Sequence, residues 1–381
     1  MKKSETFRRL TAHKRTAALF LAACTVSFAA TACIPGVPQE QQAEQQPSGA
    51  ETLSNAVGKA TPVKSPTAKQ PAGELLDLGP DFAALQDVEA AGDVLALRSE
   101  YSIAIGTIEQ LKAKEFKTLT INKSCGELSA TSNAFVLACP TALNGGGGGG
   151  QVAIIDAQNP DLRNVRSAPM KFTSAALTSN GVVIAGSSEE NDVYAFRGND
   201  SGNAKRIRTD RKADQIVASP IPGSRDAVVF IDRNATVIQG VDYPNNAPGA
   251  ALRMGVGVGS IAPGTEGLVF AADTLGHQFG LYTDTDVLRL HQTLPTDASP
   301  WAIVADSKHE AVWVASNAHN TVQAFTYNTG VPVGHGKLDT IADVRSMAMT
   351  ETGSLVLVSD SGPGVQVISD VAVQQAVAKQ N

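Results

Sequence analysis

Residues 301–330 read WAIVADSKHEAVWVASNAHNTVQAFTYNTG, and this stretch is the unit that the chain repeats. It opens on an alternating apolar run (301–305), passes a charged turn (306–310) and enters a nearly all-apolar run (311–315). A polar loop (316–320) then leads to a third alternating run (321–325). Apolar residues with a period of two, broken by turn residues, predict half-buried strands rather than helices.

The all-apolar run recurs at 93–97, 134–137, 182–185, 227–230, 268–271, 312–315 and 355–358, at intervals near 40–47 residues. A weaker alternating strand precedes each one, at 85–89, 128–131, 174–177, 216–220, 260–263, 301–305 and 346–349. That interval holds four short strands with their turns, and a single such sheet cannot bury its faces without neighbours. The expected fold is all-β: a seven-bladed β-propeller of four-stranded blades over residues 73–370. The seventh blade lacks an outer strand, because 371–381 reads as a polar tail with only Val371, Ala372 and Val373 at its start. Residues 74–78, ELLDL, alternate and have no other role. They are expected to close the ring as the outer strand of the last blade, hiding a free edge.

Val314-Ala315-Ser316-Asn317 followed by Val322-Gln323-Ala324-Phe325 resembles the YVTN-type propeller repeat. So do Leu357-Val358-Ser359-Asp360 with Val365-Gln366-Val367-Ile368, and Ser299-Pro300-Trp301-Ala302 ahead of the sixth unit. The resemblance implies a fold and no single activity, since that family includes lactonases, dehydrogenase-like members and pure binding proteins. Trp-Asp dipeptides at blade ends are absent, so the chain is WD40-like only in its general plan.

Six basic residues (Lys2, Lys3, Arg8, Arg9, Lys14, Arg15) precede an uncharged run, residues 16–32, that ends on small residues. This is the pattern of an export signal. Ala30-Thr31-Ala32-Cys33 resembles the lipobox of bacterial lipoproteins, in which the cysteine is acylated and becomes the mature N-terminus. Ala30 stands where that family more often has Leu. Leu21-Ala22-Ala23-Cys24 fits the letters better but leaves only about six apolar residues before it, short of the usual 7–15. Cys33 is therefore the favoured lipidation site within a signal of residues 1–33. Residues 34–72, rich in Gln, Pro, Ala, Ser and Thr, cannot bury a core and are expected to be a disordered tether. About 40 residues of coil average roughly 35 Å end to end.

The whole chain of 381 residues carries a net charge of −6. Residues 1–33 contribute +5, leaving −11 for the rest, which argues against nucleic acid as a partner and against contact with anionic lipid except through the anchor. The expected partner is an envelope protein or a cell-wall component, met by a monomer held at the membrane outside the cytoplasm. Cys125 and Cys139 are the two cysteines of the folded part, and in an exported protein they are expected to form a disulfide. The glycine run 145–150 lacks the following Lys-Ser/Thr of a phosphate loop and leads into a strand, so it reads as a loop insertion.

In a propeller the starts of the innermost strands and the loops between second and third strands share one face, the default ligand site. Trp301 and Arg345 lie at such strand starts. Asp232, Asp273 and His277 lie in loops of the fourth and fifth units, and Asn317, His319, Asn320 and Asp360 in those of the sixth and seventh. An arginine beside a tryptophan suits an anion or a stacked ring. The innermost strands read mostly Ala, Ser, Val, Ile and Thr, with Asp87 the conspicuous acid, which counts against an axial metal or other cofactor. No catalytic constellation is legible. A binding or scaffold propeller is favoured, with an exported lactonase-like or dehydrogenase-like enzyme as the alternative.

Overall fold

The computed structural model describes residues 57–143, 149–198, 201–328, 330–362 and 364–379. Cys24, Cys33, the signal and residues 34–56 lie outside the described residues, as do Gly145–Gly148 of the glycine run. Among the described residues the strands form seven four-stranded antiparallel sheets. Six blades run in chain order from an innermost to an outermost strand, and in each blade the first strand of its own segment is innermost, so that neighbouring blades begin side by side around one axis.

The innermost strands are Asp87–Ala91, Leu128–Ala130, Ser174–Leu177, Gln215–Ser219, Val258–Pro263, Pro300–Asp306 and Val344–Met349. The apolar second strands, such as Ala134–Cys139 and Ala311–Ser316, are wholly buried because sheets pack against both of their faces. This explains their unbroken apolar sequence. The cores lie between blades: Trp313 and Val322 of blade six meet Leu355 and Leu357 of blade seven.

Ring closure follows the sequence expectation. Glu74–Leu76 pairs antiparallel with Val365–Ile368 and supplies the fourth strand of blade seven. Leu76 and Leu78 are buried beside Val88 and Leu95 of blade one, so the strand also joins the ends of the ring.

Two expectations need correction. Residues 371–381 are not simply a polar tail, since Asp370–Ala378 is a helix that buries Val373 and Ala376 against the outer strand of blade six. The three-residue spacing of those two side chains puts them on one helical face, while Lys308 holds Asp370 at 2.7 Å. The second correction concerns the tether. Residues 57–72 are laid along the propeller, with Ala60 buried and Ala72 N–H donating to the Asp339 carbonyl at 2.9 Å. Composition missed this because the segment gains its partners from distant loops.

Cys125 and Cys139 are joined by a disulfide within blade two. In the chain-entropy account, closing a loop of about 15 residues contributes roughly 3 kcal/mol.

Candidate functional site

All seven innermost strands line a central cavity of about 190 Å³. Its mouth is shaped by bulges. Pro300 pairs with Ser316 and Ile303 with Val314, so Trp301 and Ala302 together oppose one residue. Val344 pairs with Ser359 and Ser346 with Val358, which leaves Arg345 as the extra residue of blade seven. A bulge re-aims the side chain it carries, and here both bulged side chains join the cavity wall.

Trp301 is 7% exposed, and two guanidinium groups lie against its ring. Arg345 lies 5.1 Å from its ring centroid and Arg233 lies 5.6 Å away, both within cation–π range. Gly259 makes this packing possible, because a Cβ there would come 2.9 Å from a ring carbon. Ser260 Oγ donates to the Trp301 carbonyl and Thr274 Oγ1 to that of Pro300 at 2.7 Å, fixing the start of the strand from blade five. Arg345 pairs with Asp360 at 3.2 Å. Arg233 donates to the Gly259 carbonyl at 2.6 Å and reaches Glu127 of blade two at 3.4 Å. A chain of charge therefore crosses the mouth: Glu127, Arg233, Trp301, Arg345, Asp360.

Below this bar the wall turns acidic. Asp87 and Glu89 are two residues apart on one strand, so both point inward, about 7 Å apart along it. Burial and then the neighbouring Glu127 raise the Asp87 carboxyl to about 6, even though the Leu128 N–H and the Ser346 side chain bond to it. Glu89 is pushed well above the usual carboxylate range, by burial first and then by Asp87 and Glu127. Its carboxyl has no hydrogen-bond partner among the described residues. The other lining residues are mostly apolar, among them Ala130, Ala176, Val217, Ile303 and Met347. Among the described residues no cluster of His, Cys, Asp or Glu has the arrangement of a metal site.

The remaining residues singled out from sequence are dispersed around this mouth. Asp273 is fully buried, and its carboxylate accepts from Gly257 N at 2.9 Å and Gln278 Nε2 at 2.9 Å, holding its own loop. Asp232 likewise caps the Ala235 N–H. His277 Nδ1 accepts from Ser299 N at 3.2 Å. Asn317 and Asn320 are buried, and Asn320 Nδ2 donates to the Pro66 carbonyl at 2.8 Å. His319 is exposed at a loop tip. The structure thus gathers Trp301, Arg345 and Asp360 and leaves the others in supporting turns. Sequence reading passed over Glu89, Glu127 and Arg233. Strand parity from Asp87 could have found Glu89, whereas nothing local marks Arg233.

These features define a seven-bladed β-propeller with a narrow, charged axial cavity. No family model matches the chain, and no curated protein sequence matches it. Among solved structures it is similar to a chain in the mitotic checkpoint complex, with a TM-score of 0.61 at 12% identity over 81% of this chain and 97% of that one. It is also similar to a streptogramin B lyase, with a TM-score of 0.59 at 11% identity over 77% and 96%. At such identities the likeness is one of fold.

Proposed function

We propose that the protein is a binding module of the bacterial envelope, anchored through a lipid on Cys33, and that its axial cavity receives a compact cationic group. The lipobox-like cysteine and the basic export signal support the location, and the YVTN-type resemblance is compatible with a binding role. One observation carries the choice of ligand. Glu89 is an inward-facing carboxyl without a hydrogen-bond partner, in a wall it shares with Asp87. Its surroundings disfavour the charged form and offer it no cation, and an arriving ammonium or guanidinium group supplies the missing partner. The two arginines above favour a ligand whose other end is anionic or aromatic, so a zwitterion fits best. An envelope protein or a cell-wall component that presents such a group is the natural partner; neither nucleic acid nor a cofactor is implied.

Calorimetric titration with a small zwitterion, glycine, and with ethylammonium, ethanol and acetate tests this. Glycine and ethylammonium should bind and the uncharged alcohol should not. Glu89→Gln should weaken the cationic probes at least tenfold, about 1.4 kcal/mol. Affinity should rise from pH 5 to pH 8 as Asp87, poised near 6, loses its proton. Binding of acetate alone, indifferent to Glu89→Gln, would reverse the assignment. The enzymatic alternative draws on the same poise, since a carboxyl near 6 suits general acid–base work.

A further inference from the structure

The segment that precedes the closing strand bonds to the loops that carry Trp301 and Arg345 and runs past that of Arg233. Gly58 N–H donates to Val256 O at 3.1 Å, and a Cβ at Gly58 would lie 3.8 Å from the Asn234 carbonyl, next to Arg233. Val63 N–H donates to Ser299 Oγ at 3.0 Å, two residues before Trp301. Ser65 is held most firmly. Its N–H donates to Asp343 Oδ1 at 2.7 Å, its hydroxyl donates to Asn317 O at 2.8 Å and accepts from Asp343 N at 2.8 Å. Asp343 lies two residues before Arg345, and its other oxygen accepts from Ser361 Oγ at 2.6 Å, beside Asp360.

The strand starts gripped in this way share a backbone feature. Ser299 and Asp343 each have left-handed φ, 58° and 53°, two residues ahead of the bulged Trp301 and Arg345. Residues other than Gly, Asn and Asp adopt that conformation uncommonly, and surrounding contacts help to hold it. Residues 63 and 65 add to these contacts, beside the bond from Ser299 N–H to His277 and that from Asn317 N–H to the Ser299 carbonyl. The segment stays outside the cavity, whose lining includes no residue before Gln86.

We infer that residues 57–66 form a positioning strap for the channel mouth, with Ser65 its principal positioning residue, so that the state of the tether governs capture at the cavity. This rests on the cavity being the binding site, as proposed above. With the strap seated, Trp301 is held against the arginines and the mouth has one geometry. With the strap lifted, the Ser299 hydroxyl and Asp343 lose bond partners, and the arginine–tryptophan cluster loosens. The tether and the recognition site are then one coupled system, in which a pull on the first weakens the second.

The test uses the full-length protein with Ala60→Arg and Ser65→Pro combined. The first change places a long charged side chain at a position 1% exposed, and the second removes the N–H that meets Asp343. Hydrogen exchange at residues 57–66 verifies that the strap has lifted. Trp301 should then become at least twofold more sensitive to iodide quenching, while Trp313, fully buried and bonded to Asp306, stays silent. Trp301→Phe should abolish the difference. Adding a peptide of residues 57–68 should restore the original quenching, and glycine affinity should fall at least threefold when the strap is off. Unchanged Trp301 quenching with the strap demonstrably lifted overturns the inference. If quenching responds but glycine never binds, the strap stands as a positioning element and the ligand proposal falls instead.

Discussion

Asp87 is where burial, charge and hydrogen bonding can be weighed against one another. Its carboxyl accepts from the Leu128 and Val88 N–H groups, which favours the ionised form, yet burial and Glu127 outweigh them and hold it near 6. Because that value lies above 3.8, the group stabilises the fold fully below about pH 4, and this contribution is lost as pH rises through 6. Asp87→Asn removes the buried charge, at a cost of about 1 kcal/mol if Asn loses the Leu128 bond. Asp87→Asn should therefore flatten the decline in melting temperature between pH 4 and pH 7 and be the more stable protein at pH 8. Parallel melting curves for the two proteins would show that Asp87 is not the titrating group. Trp301 teaches a related lesson at the same scale. Sequence put it at the start of a strand, but the bulge that turns it toward two arginines is a property of pairing register, set by a partner strand.

The closing strand shows how much a three-residue element can carry. Glu74–Leu76 has one exposed face, where Leu75 lies, and one buried face, where Leu76 meets the cores of blades one and seven. Truncating the chain to residue 73 removes the strap with its bonds and the buried Ala60. Truncating further, through Leu78, also removes two buried leucines and bares the edge of Val365–Ile368. Each leucine is worth about 1.5–3 kcal/mol by transfer. The second truncation should melt roughly 10 °C below the first, on a scale of about 2–4 °C per kcal/mol, and should aggregate through its open strand. Equal melting temperatures would mean that the ring closes without this strand.

For the whole molecule, the charge distribution and the anchor belong together. Under the proposed anchoring, the basic leader would meet the membrane, and the body of net charge −11 would stay off anionic surfaces. If Cys33 carries the lipid, Cys33→Ala should move the protein from the membrane to the soluble fraction, and Cys24→Ala should not. Diacylation provides two chains at about 0.8 kcal/mol per buried CH₂, enough for lasting attachment. Finding the Cys33→Ala protein still in washed membranes would reassign the anchor.

The number of blades, their order and the closing strand were all decided by the sequence itself. Burial on a pleated sheet is a local demand that every strand writes into its own alternation, and seven apolar second strands can be counted without knowing where they meet. The parity of Asp87 even places Glu89 on the inner face. Only the tertiary structure brought Glu127 from blade two, Arg233 from blade four and Arg345 from blade seven to one axis, because ring closure joins residues that have no neighbours in common along the chain. The same holds for residues 57–72 and for the helix Asp370–Ala378. Each is too short or too polar to bury a core of its own, and each becomes ordered only on a surface that the finished propeller provides.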